Sequence, residues 1–498
     1  MRAFSRREFL VLAALSAISV GAYLWYGSLA YGPGFPLDDS WIHQAYARNL
    51  AERGEWSLLP GQPSAGATSP LWVAILSIGY FLSLSPFVWT AFLGWLCLFL
   101  LGILSVYNFK RLFPNKPGWA IWVGGFTVLE WHMVWAAVSG METILFIFAC
   151  MLFFTALIRI GLTKEGNWVW VIAGLIAGFS IFLRPDGITL QGVALLAGAL
   201  IPQGISQKRN AILASLLGFL PVFLPYLAFN YANSGDLWPN TFYAKQAEYA
   251  ILLNSPLIER FLWVFRPLIV GASVLLIPGG VSFVLNAWRD RRWAHLLFAA
   301  WVLGYLLTYA MRLPLIYQHG RYQMPAMAAY FFISLAGVAH ISRPNHRVMA
   351  IRVLNRTWLA SIAATLIGFW VLGGRSYADD VGWIHENLVT ASDWINENTS
   401  KEDVVATHDI GALGYFAQRP LVDLAGLISP EIIPFIRDEA RLADYLETKG
   451  VDYLVTFPSW YPLLVGRGEK VFQSKGEIGL SFGLETIGVY AWPAGFRE

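Results

Sequence analysis

The sequence predicts an α-helical polytopic membrane protein carrying a small α/β domain at its carboxyl end, and three observations lead there. Of 498 residues 56% are hydrophobic and only 13% charged, with a mean hydropathy of +0.52, a balance that a water-exposed surface does not sustain. Apolar runs of near-membrane length recur up to about residue 374, each a candidate spanning helix. Charge divides the chain near residue 375: the first 375 residues hold 26 Lys and Arg against 13 Asp and Glu, the last 123 hold 9 against 19. Residues 1–375 therefore read as a membrane domain with basic loops, and 376–498 as an acidic extracytoplasmic unit large enough for its own core.

The first element, SRREFLVLAALSA, has the outline of a twin-arginine export signal. The apolar stretch continues through Trp25 without an A-x-A site, so the reading is an uncleaved helix over about 8–29, held in the cytoplasm by Arg2, Arg6 and Arg7. Further apolar segments fall near 69–85, 87–108, 118–138, 140–160, 168–183, 187–203, 210–231, 266–287, 293–312, 322–341 and 357–374. If 69–85 lies along the interface, the clusters Lys110/Arg111/Lys116, Arg159/Lys164, Lys208/Arg209, Arg289/Arg291/Arg292 and Arg343/Arg347/Arg352/Arg356 all face the cytoplasm. Seventeen basic residues are then inside and nine outside; letting 69–85 cross inverts the bias. The expectation is eleven crossings, with 30–86 an outer loop containing juxtamembrane helices, Ser69 as N-cap and Pro70 in the first turn of one of them. Cys97 and Cys150 lie in apolar runs and suggest neither disulfide nor thiolate metal site. In the tail, 404–408, 420–425 and 452–457 read as buried strands and 388–398 and 435–449 as helices.

This topology, drawn from Lys and Arg alone, gathers the polar motifs on the outer side: LDDSW at 37–41, SAGATSPLW at 64–72, SGMET at 139–143, RPDG at 184–187, SGDLWPNTFYAK at 234–245 and HGRYQMP at 319–325. Outward basic residues Arg48, Arg184, Lys245 and Arg321 lie in or beside them. A site handling an anion at the outer surface has this composition. No Walker or dinucleotide fingerprint occurs, so no nucleotide cofactor and no nucleic-acid partner is expected.

In these motifs the sequence resembles the GT-C membrane glycosyltransferases that use polyprenyl-phosphate sugars, most nearly the branch of the mycobacterial terminal arabinofuranosyltransferase. The residues carrying the resemblance are Asp38, Asp39, Arg48, Asn49, Thr68, Pro70, Trp72, Glu142, Arg184, Asp186, Asn240, Lys245 and Arg321. It reaches weakly into THDIGALGYF at 407–416 and LVDLAGLISPEI at 421–432. A more distant likeness to aminoarabinose and protein mannosyl transferases supports the class and not the sugar. The resemblance implies a GT-C fold in the cell membrane. It also implies transfer of a hexosyl or pentosyl group from a polyprenyl-phosphate donor to a glycan, lipid or protein hydroxyl at the outer face, with inversion at the sugar carbon.

Such a reaction needs a base for the acceptor hydroxyl and cations for the departing phosphate. The resemblance makes a first-loop acid the base; Asp38 is the simpler match, with Asp39 as its partner, a helix cap or a metal ligand. The plain alternative for both is capping of the helix that follows. Glu142 is a second acidic position, which would orient the acceptor, join Asp39 and His43 around magnesium, manganese or calcium, or cap the next helix. Arg184, Lys245 and Arg321 are candidates for the phosphate, each alternatively an interfacial side chain or a partner for an acid such as Asp186. Arg48, Thr68, Asn240, Tyr243 and His319 complete the expected substrate-binding set. Glu130 and His132 read as a hydrogen bond across helices, and His408 and Asp409 as structural or acceptor-binding. Two other classes compete: a polytopic transporter or lipid-linked sugar translocase without chemistry, and a protein O-glycosyltransferase or oligosaccharyltransferase of the same superfamily. A transporter places ionisable residues near the midplane and often repeats itself; here the charge sits at one surface.

Overall fold

The computed structural model describes residues 4–162, 166–202, 204–481 and 483–492; Arg2 and Lys164 of the expected cytoplasmic clusters lie outside them. Helices α1 (Arg6–Tyr31), α4 (Pro86–Leu112), α7 (Thr143–Leu162), α10 (Ile205–Ser234), α14 (Trp293–Arg312), α16 (Met324–Ile341) and α17 (Met349–Ile384) are long bundle helices. Among the described residues, eight helical stretches are long and apolar enough to cross a membrane, the eighth being Gly271–Arg289, which contains α13 (Ile277–Arg289). A further stretch passes the same test of length and composition only when α5 (Ala120–Leu129) and α6 (Trp131–Val138), bent by 52° at Glu130, are taken together. Helices α8 (Trp168–Leu183) and α9 (Ile188–Leu200) have 16 and 13 residues, short of the ~20 that a bilayer core requires. They account for the remaining two of the eleven expected crossings, and they meet at Pro185, which cannot continue a helix.

The bend between α5 and α6 explains the first of the intramembrane polar residues. Glu130 leaves the helix, and its Oε2 accepts from the backbone N–H of His132 (3.0 Å) and Met133 (3.2 Å) while Oε1 meets His132 Nδ1 at 2.8 Å. The expected bond across helices is instead a cap within one turn, satisfying the amides that the break exposes.

Glycines set the helix spacing. A Cβ on Gly174 of α8 would come within 1.9 Å of the Ser215 carbonyl on α10, and one on Gly218 of α10 within 2.0 Å of the Val171 carbonyl. Gly279 and Gly337 make the same approach between α13 and α16. In lipid, where apolar burial drives little association, this backbone proximity is the packing device.

The chain passes between two ends of the bundle. Glu8 binds Lys110 at 2.7 Å at one end, where the other basic loops also lie. At the opposite end stand the first loop, the α6–α7, α8–α9 and α14–α16 junctions and the tail. The first loop holds α2 (Asp38–Arg53), a hairpin of β1 (Ser57–Leu59) and β2 (Gln62–Pro63), and α3 (Pro70–Phe81). Twelve residues keep α3 from crossing. Ser69 does not cap it; the hydroxyl donates to the Leu183 carbonyl, joining α3 to the end of α8.

Helix α17 continues through residue 375 and leads by one wide turn, His385–Val389, into α18 (Thr390–Asn398). A five-stranded mixed sheet follows, of β3 (Val405–Thr407), β4 (Leu421–Asp423), β5 (Tyr453–Thr456), β6 (Glu469–Gln473) and β7 (Gly488–Ala491), in the order β4-β3-β5-β7-β6. β3 runs parallel to β4 and β5, while β7 is antiparallel to β5 and β6. Helix α19 (Glu439–Thr448) packs its Leu442, Ala443 and Leu446 against Ala406, Val422 and Leu454 of the parallel strands β3, β4 and β5. The three strands and two helices expected in the tail are present; β6 and β7 extend them.

Gly218→Val is expected to force α8 and α10 apart and to cost about 1–3 kcal/mol, read as a lower melting temperature of the detergent-solubilised protein. Gly304→Ala, at a glycine whose Cβ would meet nothing within 4 Å, should leave it unchanged.

Candidate active site

A cavity of about 480 Å³ opens where these junctions meet, between α11 (Asn240–Glu248), the end of α14 and the segment before α16. Trp238, Phe242, Ile188 and Leu313 give it apolar walls, and into them project four cations, Arg184, Lys245, Arg312 and Arg321, and three carboxylates, Asp39, Glu142 and Asp186.

Asp39 stands in the first turn of α2 and its Oδ2 accepts from Arg321 Nη2 and, at 3.4 Å, from Lys245 Nζ. Burial alone would raise this carboxyl, but the Lys245 and Arg321 charges outweigh it and hold the group well below the usual carboxylate range. Lys245 also donates to the Tyr322 hydroxyl at 3.0 Å, and Arg321 Nη2 approaches the same oxygen at 3.2 Å. With two cations beside it, the phenol drops to about 8 despite burial. Arg321 is 3% exposed, yet its Nε and Nη1 have no hydrogen-bond partner among the described residues, where buried donors are ordinarily matched. The turn carrying Arg321 is a tight one: Tyr317–Gly320 (α15) contains Gln318 and His319 at positive φ.

Arg184, freed from α8 by the break at Pro185, grips Asp186 through Nε (3.1 Å) and Nη2 (3.1 Å) and donates to the Tyr309 hydroxyl at 2.8 Å. Asp186 accepts in turn from Tyr305 and, at 2.7 Å, from Tyr309. Glu142 lies 3.6 Å from Arg184 Nη1, and its Oε2 is buried without a partner among the described residues.

The tandem acids face opposite ways. Asp38 does not line the cavity; its two oxygens accept from the backbone N–H of Gly411 (2.7 Å) and Ala412 (2.8 Å) in the tail. It is 8% exposed, and burial pushes its carboxyl up to about 7 against the opposing pull of the two amides. Neither acid caps α2, whose N-cap is Leu37 without a side-chain bond. Asp38 thus caps a foreign segment, an arrangement the expectation of Asp38 as base did not foresee. Gly411 permits it, since a Cβ there would lie 2.1 Å from the Asp38 carbonyl.

Of the remaining expected residues, Thr68 lines the cavity. Arg48 turns to the tail, donating to the Tyr415 carbonyl at 3.1 Å with its guanidinium 4.2 Å above that ring. Asn240 binds the Leu427 carbonyl at 3.1 Å, Tyr243 packs edge-on to Phe242 outside the cavity wall, and His319 Nε2 meets Asp380 at 2.7 Å. These four brace the site's surroundings and do not enter it. His43 is buried with neither nitrogen partnered among the described residues, and burial holds its imidazole below the ordinary value. The set Asp39, His43 and Glu142 does not fit a divalent ion: Asp39 is already committed to two side-chain cations, and no group of three His, Cys, Asp or Glu among the described residues is arranged to hold a metal. His408 binds the Tyr461 hydroxyl at 2.8 Å and lies 3.5 Å from Glu248, one turn beyond Lys245 on α11.

Sequence reasoning did not single out Tyr322, Tyr309 or the Gly411 and Ala412 amides. Tyr322 stood inside a quoted motif beside Arg321, but nothing in one sequence distinguishes a hydroxyl between two cations from a packed aromatic. The amides carry no side-chain signal at all.

A domain of unknown function, DUF8728, matches residues 379–492. No curated protein matches the sequence. Solved structures do match in shape. ArnT from Cupriavidus metallidurans bound to undecaprenyl phosphate aligns over 99% of this chain and 100% of its own, with TM-score 0.61 at 13% identity. The oligosaccharyltransferase of Archaeoglobus fulgidus in the apo form aligns over 91% and 69%, with TM-score 0.65 at 11% identity. The mycobacterial arabinofuranosyltransferase AftD aligns over 98% of this chain and 42% of its own, with TM-score 0.51 at 14% identity. The architecture they share is that of the GT-C glycosyltransferases, and it is the fold of this chain.

The carboxylates near the tail make stability depend on pH. Asp38 and Asp423 titrate at about 7 and about 6, and Asp409 is pushed up by burial and by the nearby Asp38 and Asp39 charges. The folded chain therefore binds more protons than the unfolded one between about pH 4 and 7, and stability contributed by these groups is lost as pH rises through that window. Asp39, depressed, acts oppositely and only below about pH 4. Asp38→Asn should flatten the fall in melting temperature between pH 5 and 7.5; an unaltered slope would remove Asp38 from the proton-binding groups.

Proposed function

We propose that this protein is a glycosyltransferase that moves a sugar from a polyprenyl-phosphate donor to an acceptor hydroxyl of a cell-envelope glycan, lipid or protein. The observation that carries the reading is the Asp39, Arg321 and Lys245 cluster, a carboxylate and two cations on one wall of an otherwise apolar cavity. Arg321 with its idle Nε and Nη1, Lys245 and Tyr322 receive the donor phosphate, Arg184 extends the cationic wall, and the apolar residues accept the first prenyl units. The acceptor oxygen forms a bond to the sugar carbon from the face opposite the phosphate. The carbon–oxygen bond to phosphate breaks, its electron pair leaves with the phosphate, and the hydroxyl proton passes to Asp39, giving inversion.

Asp39 at rest is a poor base because its oxygen holds two cations. A phosphate competes for those cations, and as they turn to it the carboxylate regains basicity. Donor binding thereby arms the base. Asp38, which the sequence favoured for this role, fixes α2 through the tail amides and positions its neighbour. The arabinofuranosyl branch supplies the pentosyl form of the reading, through the DD, RPDG and PNT-x-YAK motifs. Placement of the site outside the cytoplasmic membrane, with the amino terminus inside, is supported by the basic loops at the bundle's other end. Two structural neighbours that hold lipid carriers, ArnT with undecaprenyl phosphate and the Archaeoglobus enzyme with dolichol phosphate, favour a lipid-linked donor.

Membranes containing the protein are assayed with radiolabelled polyprenyl-phosphate pentose and hexose. Asp39→Asn should lower transfer by about 10²–10⁴-fold, Arg321→Gln should weaken donor binding as well as rate, and Asp38→Asn should lose less than Asp39→Asn. Normal transfer by Asp39→Asn sinks the proposed base, and the greater loss in Asp38→Asn would return the role to Asp38.

A further inference from the structure

A second cavity, of about 300 Å³, lies at the other end of the bundle, among the carboxyl ends of α4, α13 and α16 and the amino end of α14. The candidate active site touches Arg312 at the far end of α14, so the two cavities stand about 30 Å apart by the rise of a twenty-residue helix. Asn115, Lys116, Asn286, Arg292, His295 and His340 supply its polar wall. Three basic loops converge here, from 110–116, 289–292 and 340–347.

Charge in this cavity is not balanced. Its one lining carboxylate among the described residues, Asp290, is paired with Arg292 Nη2 at 2.9 Å. Lys116 is held in place by the Ala339 and His340 carbonyls, at 2.6 and 3.2 Å, and no acid reaches it among the described contacts. Burial and the Arg343 charge keep its ammonium below the ordinary lysine value, the behaviour of a cation lacking a counter-anion. Neutralising helix carboxyl ends accounts for Lys116. It does not account for His295, which is 5% exposed, lines the cavity and has no partner on either ring nitrogen among the described residues. A buried imidazole carries at least one donor in any state, and burial without a partner leaves that donor's desolvation uncompensated.

We propose that this cavity binds a phosphate group, through Lys116, Arg292 and His295, as part of an anionic ligand distinct from the sugar donor. A lipid headgroup and a free phosphate present the same oxyanion. The exposed indoles of Trp288 and Trp293 beside the cavity mark the depth at which headgroups lie, and basic pockets between spanning helices are a recurring way to hold them.

The purified full chain is placed in nanodiscs of zwitterionic lipid and titrated with phosphatidylglycerol in one arm and inorganic phosphate in the other, with bound ligand counted by native mass spectrometry and melting temperature followed. One phosphatidylglycerol per chain should be retained with a rise in melting temperature, and Lys116→Gln and His295→Leu should each weaken it about tenfold. Arg347→Gln, which removes an exposed charge from the same end, should bind as wild type. Binding of phosphatidylglycerol alone assigns the site to a headgroup, and equal binding of millimolar phosphate assigns it to the free anion. No binding in either arm, equal weakening by Arg347→Gln, or wild-type binding by both cavity variants overturns the proposal. His295→Leu removes no helix cap, so it keeps the test decisive should Lys116→Gln be unstable. The readout is binding, and it is independent of any transfer activity.

Discussion

One carboxylate oxygen, Oδ2 of Asp39, brings together three segments that are remote in sequence. It sits on the first-loop helix, and it is held by Lys245 from α11 and by Arg321 from the turn before α16. The turn before α16 holds two non-glycine residues in left-handed backbone angles, and α11 is tied to the tail by Asn240. Two cations facing one acid leave excess positive charge on this wall of the cavity.

Directly beside it, Asp38 performs the opposite task. Each of its oxygens accepts from one backbone amide of the tail, which holds the carboxylate against that segment. Successive residues at the start of a helix point about 100° apart, and that angle lets one dipeptide serve a cavity and an interdomain joint together. The two carboxylates are thus separated in environment although adjacent in chain, one held ionised by cations and one pushed toward protonation by burial.

Much of this was legible in advance because lipid imposes strong rules. Long apolar runs, basic clusters and the polar motifs between them marked the helices and gathered Asp39, Glu142, Arg184, Asp186, Lys245 and Arg321 at one end, where the cavity lies. Motif membership failed where it could not report direction. Arg48, Asn240, Tyr243 and His319 share the motifs but point to the tail or to neighbouring helices. The different surroundings of Asp38 and Asp39 were hidden for a related reason, since they turn on amides at 411 and 412 that only the tertiary fold brings near. Helices α8 and α9 lie where the apolar runs at 168–183 and 187–203 placed them, divided at Pro185.

Helix α17 carries a mechanical implication. Thirty-six helical residues run out of the bundle and pass through a wide turn into α18 without an intervening loop. A strut of that kind resists bending far more than a flexible linker does, so the sheet it supports behaves as a fixed roof over the site and not as a hinged lid.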